Sequence, residues 1–105
     1  MSIGGKIIEI RYDAASGKWI VDPGDVEAAA GETLTWKPIG TVAEIWFPQT
    51  GFMTPSLTMV NAEQEESLTV APDAGAGSRP YAVYCEAGGC FAYKSDGSEP
   101  VVIVP

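Results

Sequence analysis

The sequence predicts an all-β sandwich of about seven to eight short strands, and three observations predict it. Short segments alternate between apolar and polar side chains, the period of a strand with one buried face. Clusters of Gly, Pro, Asp, Asn and Ser interrupt those segments at close intervals. No stretch carries the longer apolar repeat of an ordinary helix. Short strands with turn chemistry between them are the pattern of a two-sheet antiparallel sandwich.

The elements follow in chain order. Residues 6–12 place Ile8, Ile10 and Tyr12 on one face with Glu9 and Arg11 on the other, which makes the first strand. The turn Asp13-Ala14-Ala15-Ser16-Gly17 leads into the short strand Lys18-Trp19-Ile20-Val21, and Asp22-Pro23-Gly24-Asp25 breaks the chain again. Residues 26–28 pair briefly before Ala29-Ala30-Gly31-Glu32. Thr33-Leu34-Thr35-Trp36-Lys37 then alternates with Leu34 and Trp36 inward, and Pro38 ends it by removing a ladder donor. In residues 42–47, Val42, Glu44 and Trp46 share one face while Ala43, Ile45 and Phe47 share the other. Residues 49–56 form the longest irregular loop, followed by strands at 57–60 and 67–70. A Gly/Ala/Pro-rich loop at 72–80 precedes the strand ending in Cys85, and Val101-Val102-Ile103-Val104 is the last strand.

Composition bounds the function. A chain of 105 residues with 46% hydrophobic residues suits one domain over residues 1–105 with a single core. Fourteen acidic against six basic residues give a formal charge of −8, and Lys and Arg are not clustered, so nucleic acid and anionic membrane are excluded as partners. The acidity serves either solubility or steering toward a basic protein surface. No apolar run reaches the roughly 20 residues needed for membrane insertion. Residues 1–5 lack the features of a signal peptide, so a native start at Met1 implies the cytoplasm, and a removed signal implies periplasmic or secreted protein.

Gly31-Glu32-Thr33-Leu34-Thr35-Trp36-Lys37, the strand at 42–47, and Tyr84-Cys85 followed by a short loop and a last apolar strand together resemble the cupredoxins, the blue-copper-protein family. The resemblance implies a Greek-key β-sandwich. It also implies that Cys85 stands where the family's copper thiolate stands, and that Ala43 or Glu44 stands where its first histidine stands. Gly88, Gly89 and Cys90 occupy the region of the second histidine, and Tyr93 or Lys94 that of the axial methionine. A blue-copper centre needs two imidazoles beside its thiolate, and the sequence contains no histidine. The expectation is therefore a cupredoxin-like chain with a degenerate copper site and no cofactor.

Cys85 and Cys90 admit three readings. Two glycines in Glu86-Ala87-Gly88-Gly89 let the loop turn tightly enough for a disulfide, worth roughly 2 kcal/mol before strain. The pair can also remain as reduced thiols. The third reading is capture of copper or zinc by both thiolates, assisted by Glu44, Met53 or Met59, as in a small metal-binding or electron-transfer protein. Zinc sites present three or four protein ligands, which two cysteines without histidine do not supply. The Cys-x-x-Cys spacing of redox-active pairs is absent.

Adjacent Trp46 and Phe47 point to opposite faces of their strand, so both cannot enter the same core. Trp46 either lies under the 49–56 loop or joins Phe52, Met53 and Phe91 in an exposed patch for a protein partner, since large aromatic side chains anchor such contacts. Catalysis has no foundation: serine and cysteine nucleophiles lack a histidine partner, and no phosphate-binding glycine loop precedes a helix. Asn61-Ala62-Glu63-Gln64-Glu65-Glu66 lacks the oxygen pattern of a calcium loop. The sequence thus predicts a non-enzymatic binding or assembly module. A self-assembling structural protein is the further alternative, with Val101-Val102-Ile103-Val104 pairing between subunits if it forms a sheet edge.

Overall fold

A computed structural model describes residues 6–105; the signal-peptide reading of residues 1–5 lies outside the described residues. Twelve strands and no helix make up the regular structure among them. β1 (Lys6–Asp13), β2 (Lys18–Asp22), β4 (Thr33–Pro38), β8 (Glu66–Val70) and β6 (Met53–Thr54) form one sheet in the order β2-β1-β4-β8-β6. β5 (Ala43–Trp46), β7 (Leu57–Val60), β10 (Ala82–Cys85) and β11 (Cys90–Ala92) form a second in the order β11-β10-β5-β7. β3 (Asp25–Glu27), β9 (Gly77–Pro80) and β12 (Val101–Val104) form a third in the order β3-β12-β9.

The count of seven to eight strands is corrected upward: β3 stands where residues 26–28 are expected to pair briefly, and β6, β9 and β11, each of two to four residues, are additional. β9 has no apolar alternation in Gly-Ser-Arg-Pro and is extended because its backbone pairs with β12 from Pro80↔Val101 to Gly77↔Val104. The purely antiparallel expectation is corrected too. β1 runs parallel to β4, with Ile8 opposite Trp36, and β3 runs parallel to β12. Parallel neighbours need a crossover between them, and the excursion through β2 and β3 supplies it for β1 and β4. Alternation reports which face is buried and is silent on the direction of the neighbouring strand.

β12 lies between β3 and β9, so both of its backbone edges are occupied. The expectation that Val101–Val104 pairs between subunits is therefore overturned.

One core receives side chains from all three sheets, among them Ile8, Leu34 and Trp36 from the first, Ile45, Val83 and Cys85 from the second, and Val26 and Val102 from the third. At its centre Phe47 stacks on Tyr81 with ring centroids 4.6 Å apart, and Trp36 meets both edge-on at 5.8 and 5.6 Å. The Trp36 indole N–H donates to the Tyr81 hydroxyl at 3.1 Å, which satisfies a donor buried far from water. Gly31 holds a φ of +83° in the turn entering β4, where Glu32 Oε1 accepts from the Ala29 N–H at 2.7 Å.

Candidate functional site: the cysteine end and an exposed aromatic sheet face

Strand register settles the geometry around Cys85. Cys85 pairs with Ala43 on one side and with Cys90 on the other. Ala43 and Cys85 are both fully buried and point into the core, whereas Cys90 is exposed beside the hairpin loop. Ala43, not Glu44, is thus the position that faces Cys85. Glu44 is the next residue along β5 and projects from the opposite face of the sheet, so it is removed from the candidate metal ligands. Met59 pairs with Glu44 and shares that outer face, and Met53 is buried in β6 opposite Val70. Met59 thus projects from the face opposite to the buried Cys85. Among the described residues no group of three or more Cys, Asp or Glu side chains converges on a point that can hold a metal ion. A methyl group where the first imidazole would have to stand does not fit a blue-copper centre.

The hairpin carrying the cysteines is fastened from below. Gly89 adopts a φ of +59°, and its N–H donates to the Glu86 carbonyl at 3.2 Å, closing the turn between β10 and β11. The Glu86 N–H donates to the Val42 carbonyl at 3.0 Å, and the Ala87 N–H donates to the buried Thr41 hydroxyl at 3.0 Å. That hydroxyl in turn donates to the Val42 carbonyl at 2.8 Å. Cys85 and Cys90 are separate thiols here, although they sit directly opposite one another across the hairpin. Burial pushes the Cys85 thiol up to about 12, and a neighbouring Cys90 charge acts in the same direction. Because the thiolate is the reactive form, one thiol per chain, Cys90, should react with a thiol reagent at pH 8, and a second only after unfolding. Counting modified sites by mass before and after denaturation checks this; two rapid equivalents in the native protein would contradict it.

The other face of the same sheet has a different character. Trp46, Leu57, Met59 and Phe91 are 50, 60, 58 and 49% exposed, an unusual density of large apolar side chains for solvent. They are neighbours by register. Phe91 pairs with Tyr84, Tyr84 with Glu44, and Glu44 with Met59, while the adjoining row runs Ala82, Trp46, Leu57. Tyr84 and Phe91 meet edge to face at 5.3 Å. A groove of about 330 Å³ opens between Trp46 and Phe91, lined also by Glu44 and Tyr84, and a second of about 250 Å³ runs beside it past Tyr93 and Glu99.

Two sequence expectations about this patch change. Trp46 is not covered by the 49–56 loop, because that loop closes over the other side of β5, where Phe52 packs on Phe47 at 5.9 Å. By the same packing Phe52 and Met53 are buried at 4 and 2% exposure and are removed from the candidate partner surface. The Arg79 guanidinium lies 4.7 Å over the Phe52 ring and seals it from outside. Trp46 and Phe91 stay exposed and line the same groove. Nothing in the sequence marks Tyr84, Leu57 and Met59 as partner contacts; alternation on 57–60 and 82–85 makes them a shared outward face only once the strand order is known.

No protein-family model matches this chain, and no curated protein matches it. Solved structures of amicyanin do. A point variant in its reduced Cu(I) form at pH 4 aligns over 100% of this chain and 86% of its own length with 19% identity and a TM-score of 0.59. Another reduced variant aligns over 100% and 86% with 18% identity and a TM-score of 0.60. Amicyanin from Paracoccus versutus aligns over 100% and 85% with 18% identity and a TM-score of 0.59. The chain therefore has the cupredoxin-like fold that the layout of its strands and Cys85 led one to expect. Among the described residues no helix is long and apolar enough to cross a membrane.

Proposed function

We propose that this chain is a non-enzymatic, copper-free binding module of the cupredoxin-like fold, acting on a protein partner through the outer face of the β11-β10-β5-β7 sheet. One observation carries the reading: Trp46 and Phe91, two large aromatic side chains about half exposed, line one groove on the outer face of a four-stranded sheet. Aromatic anchors of this kind lose little conformational entropy on binding and dominate interface energetics. The chemistry at the opposite face supports the absence of copper, since Ala43 faces Cys85 and the sequence has no histidine.

The test uses affinity capture followed by titration of a purified captured protein. Trp46→Ala should weaken that binding at least about tenfold, as hot-spot truncations do, while the thermal midpoint stays close to wild type because the side chain is half exposed. Unchanged affinity in a folded variant would overturn the assignment.

A further inference from the structure

We propose that the groove between Trp46 and Phe91 is a recognition site for a cationic side chain, specifically an arginine presented by the partner protein. The inference rests on the proposed binding face and names the chemistry that face selects. Among the described residues Glu44 is the only charged one lining the groove, with Trp46, Tyr84, Phe91, Leu57 and Ala82 around it. The adjoining groove repeats the theme: among the described residues Glu99 is its one charge, again with Trp46 and Phe91 in the lining. Among the described residues neither carboxylate takes part in an ion pair and no Lys or Arg lines either groove.

A guanidinium answers this surface better than other groups. It is planar, lies flat on aromatic faces, is weakly hydrated, and presents paired donors to a carboxylate. Glu44 lies in the register row between Met59 and Tyr84, with Trp46 two residues further along β5 on the same face. A guanidinium on the Glu44 carboxylate thus comes within reach of the Trp46 and Tyr84 rings. The formal charge of −8 steers such a partner inward.

The same charge argues against a second copy of this chain as the occupant. Two copies would approach with like charge, and the chain's own arginines are engaged elsewhere. Arg11 pairs with Asp22 at 2.6 Å, and Arg79 covers Phe52 while donating to the Gly75 carbonyl at 2.9 Å. The occupant is accordingly a basic segment of a different protein.

The experiment is an NMR titration of the intact protein with the blocked tripeptide acetyl-Gly-Arg-Gly-amide, beside its citrulline isostere, which keeps the shape and removes the charge. Saturable shifts at the Trp46 indole and at the amides of Glu44, Tyr84 and Phe91 are expected with the arginine peptide. Binding should be about tenfold weaker or more with the citrulline peptide, and similarly weaker for Glu44→Gln with the arginine peptide. Equal response to both peptides, an unaffected Glu44→Gln variant, or shifts centred on Asp22, Asp25 and Asp96 would each overturn the proposal. So would groove resonances that move with protein concentration alone, since that outcome puts a second copy on this face. If the arginine peptide fails while Trp46→Ala still abolishes partner binding, the binding face stands and its cation selectivity falls.

Discussion

Trp36→Ala is expected to lower the unfolding free energy by about 3–5 kcal/mol, a large fraction of the roughly 5–15 kcal/mol that holds a small domain folded. Trp36 has no exposed surface and touches both Phe47 and Tyr81 edge-on. Truncation removes that contact area and leaves a cavity at the junction of the sheets. It also strips the Tyr81 hydroxyl of its 3.1 Å donor. Tyr81→Phe separates the two contributions, since it preserves the stacked ring and orphans only the indole N–H, at about 1–3 kcal/mol. Urea unfolding with an unchanged slope on denaturant reads both values. A loss for Trp36→Ala below about 1.5 kcal/mol would mean that the aromatic cluster is not the centre of the core.

Alkaline pH should unfold the protein earlier than its acidic composition implies. Burial raises the Cys85 thiol from the ordinary 9.0 to about 12. Burial also raises the Tyr81 phenol above its ordinary value, with the Trp36 hydrogen bond pulling the other way. In both cases the folded state favours the protonated, neutral form. The stabilisation from Cys85 is therefore complete below pH 9 and is lost as the pH climbs from 9 toward 12, and Tyr81 adds to the loss from about pH 10 upward. Each group steepens the fall by up to about 1.4 kcal/mol per pH unit within its window. Thermal midpoints from pH 8 to 12 should drop steeply in wild type and more gently in Cys85→Ala, which has no thiol to ionise there. Superimposable pH profiles for the two proteins would show that Cys85 ionises as freely folded as unfolded.

Several inward positions are legible in the alternation alone. Ile8 and Ile10, Leu34 and Trp36, and the Ala43, Ile45, Phe47 set all reach the core from the faces their alternation assigns. The candidate site is legible only in part. Trp46 and Phe91 stand out in the sequence as aromatic anchors, and both are exposed, but Phe52 and Met53 group with them only because they follow closely in the chain. Loop 49–56 instead folds onto the Phe47 side of β5. Proximity in sequence is a poor guide to the side of a sheet that a loop covers. Glu44 shows the same gap at one-residue scale: near Cys85 in outline, it is separated from it by the period-two rule, because Ala43 stands opposite the thiol.

What the sequence by itself determined is the all-β class, the inward face of the principal strands, and the lack of any imidazole for a blue-copper centre. These depend on residue type and local period alone. Which strands lie side by side, in which direction, and what each loop covers were decided by the tertiary structure. The parallel β1–β4 pair, the interior place of β12, and the gathering of Trp46, Tyr84 and Phe91 around Glu44 all join residues distant in the chain. Such pairings are selected by the joint burial of three sheets around one core, a condition that no local pattern contains.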